Sequence, residues 1–270
     1  GNYVVTSPTW NNGAVTDAGA ATWGSGATGI TGAVSAVNSL VGSTANDKVS
    51  EQGVAALANG HYVVQSYSWT NAGAVFAGAA TWGDGTTGIT GAVSAANSLV
   101  GSTANDQVGQ VVELTNGNYV VISGNWDNGA VADTGAVTWG SGTTGVSGTI
   151  SNINSLVGST ASDLVGNGSA VFPLSNGNYV VLSPYWNNGA VADVGAATWG
   201  NGATGTTGAV SAANSLVGST AYDRVGISLA ALTNGNYAVG SPYWDNGATA
   251  DAGAVTWGNG ATGITGSVVT

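Results

Sequence analysis

Thirteen carboxylates, two cations and one imidazole are the whole ionisable side-chain stock, tyrosines aside, of this 270-residue chain. Two carboxylate pairs are spaced to share a cation: Asp127 with Asp133, and Asp245 with Asp251. Each pair lies six residues apart in a glycine-flexible loop, with Asn128 or Asn246 alongside. Calcium takes six to eight oxygens, several of them from carboxylates, and is the ion such a loop would hold. Turn chemistry uses the same residues, because Asp and Asn side chains bond to their own backbone. Asp17 and Asp193 stand alone in the equivalent loops, and Phe76 replaces the acid in another. A further carboxylate recurs two residues ahead of a valine, as Asp47, Asp106, Asp163 and Asp223. A cap or turn bond tying one unit to the next accounts for it.

Acid–base catalysis needs a positioned partner group. The single histidine, His61, replaces the Asn that other copies carry in a hairpin turn. No Ser/His/Asp set or His cluster can be assembled. Gly24-Ser25-Gly26 and Gly258-Asn259-Gly260 are followed by neither a helix nor a basic residue, so the dinucleotide reading fails. The chain is expected not to be an enzyme and to carry no cofactor, calcium aside.

Tryptophan offers binding chemistry of another kind. Trp10, Trp69, Trp126, Trp186 and Trp244 open a long Asn- and Gly-rich loop, and aromatic faces beside Asn and Asp suit sugar rings. Five such platforms would act with avidity. The competing reading has these rings sealing one rim of a core. Trp23, Trp82, Trp139, Trp199 and Trp257 each follow thirteen residues later and end a strand. They are expected to pack between units, the ring nitrogen bonded to backbone.

The elements that position these residues come five times. Tyr3, Tyr62, Tyr119, Tyr179 and Tyr237 each precede the first Trp by seven, and the first Trps recur at intervals of 59, 57, 60 and 58 residues. A fixed period in this range marks a repeat architecture. The repeats read as approximately 1–59, 60–116, 117–176, 177–234 and 235–270, forming a single repeat domain whose last copy is short. In the third copy, Val111 to Leu114 is a short apolar run, and Asn116-Gly117 predicts a type I′ hairpin turn. Tyr119 to Ser123 reads as a strand buried on both faces, and Ala136 to Trp139 as a third. Gly148 through Gly158 reads as a fourth, bent or bulged. Four short antiparallel strands per repeat of about 58 residues predict an all-β, five-bladed β-propeller.

Composition excludes other classes. Lys48 and Arg224 are the only basic side chains in a chain of net charge −11, too few to neutralise a phosphate backbone. Nucleic acid and anionic membrane surfaces are therefore poor partners. No apolar run approaches the ~20 residues of a membrane helix. Without Cys, disulfides contribute nothing.

The unit resembles the integrin-type FG-GAP repeat. Val-Gly at 108–109, 165–166 and 225–226 stands for its Phe-Gly. Ser7-Pro8, Ser183-Pro184 and Ser241-Pro242 stand for its Ala-Pro, and Gly-Ala-Val-Thr-Trp for its closing strand. The units also look like the Gly- and Asn-rich repeats of bacterial haemagglutinin- or adhesin-like surface proteins. The resemblance implies a propeller blade. It does not bring the family's calcium loop, whose place holds only Asn59-Gly60, Asn116-Gly117, Asn176-Gly177 or Asn234-Gly235. The first copy starts at its second strand and the fifth stops at Gly266 to Thr270, leaving open edges. Either the array continues or a neighbouring subunit completes it. The expectation is an exported, extracellular or cell-surface structural or adhesive protein. It would form a homo-oligomer or polymer through incomplete terminal blades; the alternative is a multivalent glycan-binding propeller.

Overall fold

A computed structural model describes residues 1–168 and 170–269; Thr270, the end of the expected last segment, lies outside them. Among the described residues there are 22 strands and no helix, hence no helix long and apolar enough to cross a membrane. Two compact units are formed. One comprises Gly1–Glu113, Gly117–Val121 and Gly140–Ile150; the other comprises Leu114–Asn116, Ile122–Trp139 and Ser151–Thr270.

In the first unit the second repeat is complete. Tyr62–Ser66 lies between Val54–Ala56 and Ala79–Gly83, antiparallel to both. Aromatic and β-branched residues suit this doubly covered strand, and Val63 and Val64 are fully buried. Tyr62 stands opposite Gly83, and its ring lies where a side chain at Gly83 would sit: a Cβ there would be 2.2 Å from Tyr62 Cζ. The glycine is required by close approach, since its φ is not positive.

The hairpin entering this strand differs from the predicted type I′ turn. Gly60 N–H donates to Leu57 O and Leu57 N–H to His61 O, both at 2.9 Å, and only Gly60 has a positive φ. This is a three-residue loop, a type I turn closed by a left-handed glycine bulge. In the second unit Leu174–Asn178 and Leu232–Asn236 repeat it. The Asn ahead of the Gly therefore is not there for a left-handed backbone; its side chain has another task, described below.

The predicted fourth strand is two strands in different sheets. Leu99–Val100 pairs antiparallel with Ala79 and Ala80 of its own repeat. Gly91–Ala92 pairs parallel with Leu40–Val41 of the preceding repeat. A tight turn separates them: Asn97 Oδ1 accepts from Ser94 N–H and Ser98 Oγ, and Asn97 Nδ2 donates to Ala92 O, each at 2.9 Å. Each repeat after the first therefore lends a short strand backwards. The sheet of the second repeat runs from Val54–Ala56 to Leu99–Val100 and ends on Gly148–Thr149 of the third. In the second unit the fourth repeat likewise ends on Gly266–Ser267 of the fifth, parallel to Ser215–Val217. Five sheets result: the first repeat's has four strands, the fifth's three, the others five.

The core lies between successive repeats. Leu40 and Val49 of the first repeat pack with Tyr62, Val64 and Trp69 of the second. Leu182, Leu216 and Val225 of the fourth pack with Tyr237, Val239 and Trp244 of the fifth. A repeat that buries its apolar face only against a neighbour is the nearest-neighbour logic of repeat arrays.

Candidate functional site: the contact between successive repeats

The groups singled out by type and spacing gather at the boundary between one repeat and the next. The second Trp of each pair reaches forward. Trp23 Nε1 donates to Gly85 O at 3.0 Å and Trp82 Nε1 to Gly142 O at 3.1 Å within the first unit. Trp139 Nε1 donates to Gly202 O and Trp199 Nε1 to Gly260 O, both at 2.9 Å, within the second. The acceptor is always the second glycine of the Gly-x-Gly turn of the following repeat. The hairpin asparagine converges on the same oxygen: Asn59 Nδ2 on Gly142 O, Asn116 on Gly202 O and Asn176 on Gly260 O, each at 2.8 Å. Three positions after each of these glycines comes another, Gly88, Gly145, Gly205 or Gly263. A Cβ there would stand 2.6 Å from the Cβ of the preceding Trp. Trp, Asn and two glycines thus form one latch, made four times with the Asn present in the last three.

A second pin is the buried carboxylate. Asp47, Asp106, Asp163 and Asp223 are fully buried. Asp163 Oδ2 accepts from Ser159 and Thr160 N–H, both at 2.8 Å, and Oδ1 accepts from Asn187 N–H at 2.9 Å. Asn187 follows the first Trp of the next repeat. Asp47 reaches Thr70 and Asp223 reaches Asp245 in the same way, each at 3.0 Å. Asp106 accepts from Ser102 and Thr103 N–H at 2.7 and 2.9 Å. Burial pushes the Asp47 and Asp163 carboxyls above the ordinary range, and the backbone donors oppose it.

The first Trps do not form exposed platforms. Trp69, Trp126, Trp186 and Trp244 are 3–7% exposed, and only Trp10 is half-buried. The loop that each one opens folds back over it, Gly78, Gly135, Gly195 and Gly253 each donating N–H to the carbonyl of its Trp. No face remains for a sugar ring on the four buried indoles.

The Asp pairs organise their own loops. Asp127 Oδ1 accepts from Asp133 N–H and Asp245 Oδ1 from Asp251 N–H, both at 2.8 Å. Asn11 and Asn187 do the same for Asp17 and Asp193. The residue that donates its N–H, and Phe76 at the equivalent position, has a φ between 49° and 58° in all five copies, a region Asp tolerates and bulky residues rarely enter. Among the described residues no three His, Cys, Asp or Glu gather as metal ligands. The His61 ring lies tilted by 47° against Trp82, centroids 4.9 Å apart, and Nδ1 accepts from Gly85 N–H.

Residue-type reasoning missed the acceptor glycines. The fixed distance of three residues from each second Trp to the end of its Gly-x-Gly was their signal. It also missed the buried hydroxyl pairs Thr81–Ser98 and Thr198–Ser215, at 2.6 and 2.7 Å.

The family model described as "Repeat of unknown function (DUF5650)" matches the chain five times, over residues 1–51, 56–110, 113–167, 173–227 and 231–270. No curated protein matches.

Proposed function

We propose a structural role for this chain, which belongs to the family of DUF5650 repeats: an extracellular or cell-surface scaffold, structural or adhesive, that assembles through its terminal repeats. The observation that carries this reading is the latch. It is directional, its Trp and glycines recur at every internal junction, and it uses the recurrent polar groups of each repeat to hold the next. Scarcity of Lys and Arg, which leaves few sites for trypsin-like proteases, supports life outside the cell. The five sheets act as blades of an FG-GAP-like, propeller-like array. Antibody labelling of intact cells, with electron microscopy of isolated surface material, tests the role. Confinement of the chain to the cytosol would overturn it.

A second reading, glycan binding, draws support from a groove rather than from the Trp loops. A groove of about 590 Å³ in the first unit is lined by Thr44, Asn46, Lys48, Thr70 and Phe76. Phe76 is 42% exposed and takes a backbone conformation costly for its side chain. Its hydroxyls, cation and ring suit an acidic sugar. A glycan array that is silent for the native chain, or unchanged by Phe76→Ala, would remove this reading.

A further inference from the structure

We infer that the groove of the first unit is one specialised site per chain for a carboxylate-bearing sugar, with Lys48 anchoring the carboxylate and Phe76 carrying the ring. The inference rests on the glycan reading above and replaces five equivalent platforms with a single site.

Five copies of one loop provide an internal comparison. In four of them the residue after the first Trp is Asn11, Asp127, Asn187 or Asp245, and its Oδ1 accepts the N–H of an Asp six positions on. The second copy has Thr70 and Phe76 at these two places, and among the described residues no hydrogen bond joins them. Its turn holds Ala72 at a φ of 49°, where Gly13, Gly129, Gly189 and Gly247 have φ of 60° to 64°. This copy alone has given up the bond that orders the loop, and it bends two residues with side chains into the left-handed region. Departures of this kind gather where a chain gives up local consistency for function.

The departures line one groove. Thr70, Gly73 and Phe76 form it together with Thr44, Asn46 and Lys48 from the link that ends the first repeat. Asp47 ties the two walls, accepting from Thr44 N–H at 2.8 Å and Thr70 N–H at 3.0 Å. Both walls have their ordinary neighbours, Lys48 N–H donating to Asp17 O and Gln107 N–H to Phe76 O, each at 3.0 Å. Lys48 is half-buried and makes no ion pair among the described residues. The cation at the same position of the fourth repeat is engaged: Arg224 Nη2 donates to Asp193 at 3.2 Å, and its Cζ lies 5.6 Å from the Tyr185 ring centroid. Of the carboxylates beside the groove, Asp47 is buried and Glu51 Oε1 holds Ser68 N–H at 2.6 Å. Lys48 is therefore left to pair with an anion from outside. Phe76 offers a pyranose its ring face, and the exposed Thr44 and Asn46 offer hydrogen bonds to the hydroxyls. The other loops hold Asp17, Asp133, Asp193 or Asp251 at the position of Phe76, and a carboxylate there repels an acidic ligand.

Isothermal titration calorimetry of the 270-residue chain tests this with trigalacturonic acid and with sialyllactose, each beside its methyl ester. One equivalent of acid should bind per chain and the ester should not; the acid that binds identifies the sugar as a uronate or a sialate. Lys48→Gln should weaken binding about tenfold or more, and Arg224→Gln should leave it unchanged. Thr70→Asn combined with Phe76→Asp restores the pair found in the first and fourth copies. It should abolish binding while raising the melting temperature, a combination that a merely structural role for Phe76 does not produce. Several equivalents per chain, equal binding of the esters, or affinity indifferent to Lys48→Gln would leave glycan binding standing and overturn the single anchored site. Failure of both acids to bind would overturn this inference and the acidic-sugar reading together.

Discussion

Trp199 and Gly260 are 61 residues apart in sequence and joined by a 2.9 Å hydrogen bond from indole Nε1 to carbonyl oxygen. Asn176 and Asn178 Nδ2 reach the same oxygen at 2.8 Å. Three donors on one acceptor make the indole N–H the most dispensable part of the latch. Trp199→Phe should cost only about 0.5–1.5 kcal/mol, the net value of one hydrogen bond. Trp199→Ala should cost about 3 kcal/mol by opening a cavity. Urea unfolding of the two variants separates polar from packing contributions.

Gly200 pairs across the strands with Tyr179, and a Cβ there would lie 2.1 Å from the ring. Gly200→Ala should destabilise by about 1–3 kcal/mol through overpacking. Adding Tyr179→Leu should cost less in that background than in the native one, a coupling readable from a double-mutant cycle.

Asp163 holds both of its oxygens against N–H donors, so an amide must turn an NH₂ towards one of them. Asp163→Asn should cost about 1–3 kcal/mol. Burial raises the Asp47 and Asp163 carboxyls above 3.8, which makes the ionised form the disfavoured one in the fold. Their stabilising contribution is therefore full below pH 3.8 and declines as pH rises through the raised values. Asp84 runs the other way: its bonds to Thr86 lower its carboxyl, and its contribution is lost on acidification. Thermal melts of the two proteins compared at falling pH should show a smaller gain, or a larger loss, for the Asp163→Asn variant than for the native chain.

Burial pushes the Tyr62 and Tyr237 phenols up to about 12, and those of Tyr119 and Tyr179 higher still. The unfolded chain ionises near pH 10, so stability is intact below that and lost as pH rises through the folded values. Raising the Tyr62 phenol from 10 to about 12 corresponds to about 3 kcal/mol of stability at stake. Unfolding should be steep above pH 10, with tyrosinate absorbance appearing together with loss of structure. Gradual ionisation of a folded chain would contradict the burial.

Trp126 and Trp244 are 3% and 7% exposed. Trp126→Ala and Trp244→Ala should each lower stability by about 3–5 kcal/mol while leaving any glycan binding of the folded chain unchanged. A loss of glycan binding at undiminished stability would restore the Trp loops as a binding surface.

By itself the sequence determined the period, the all-β class, and the strands Tyr119–Ser123 and Ala136–Gly140. These depend on local patterns: a doubly apolar run, a β-branched and aromatic stretch, glycines at each reversal. Only tertiary structure decided where Gly91–Ala92 pairs, because a two-residue strand carries no pattern that names its partner. The same is true of the hairpin asparagine and the first Trp. Asn59 stands in a turn that other residues could make, but its amide serves a carbonyl 83 residues away. Trp69 is equally at home in a binding loop or a core, and it is buried because the next stretch of chain returns over it. Spacing shows that these residues are held in common by the repeats. What each one touches depends on the neighbouring repeat, since that is where this chain buries its apolar surface.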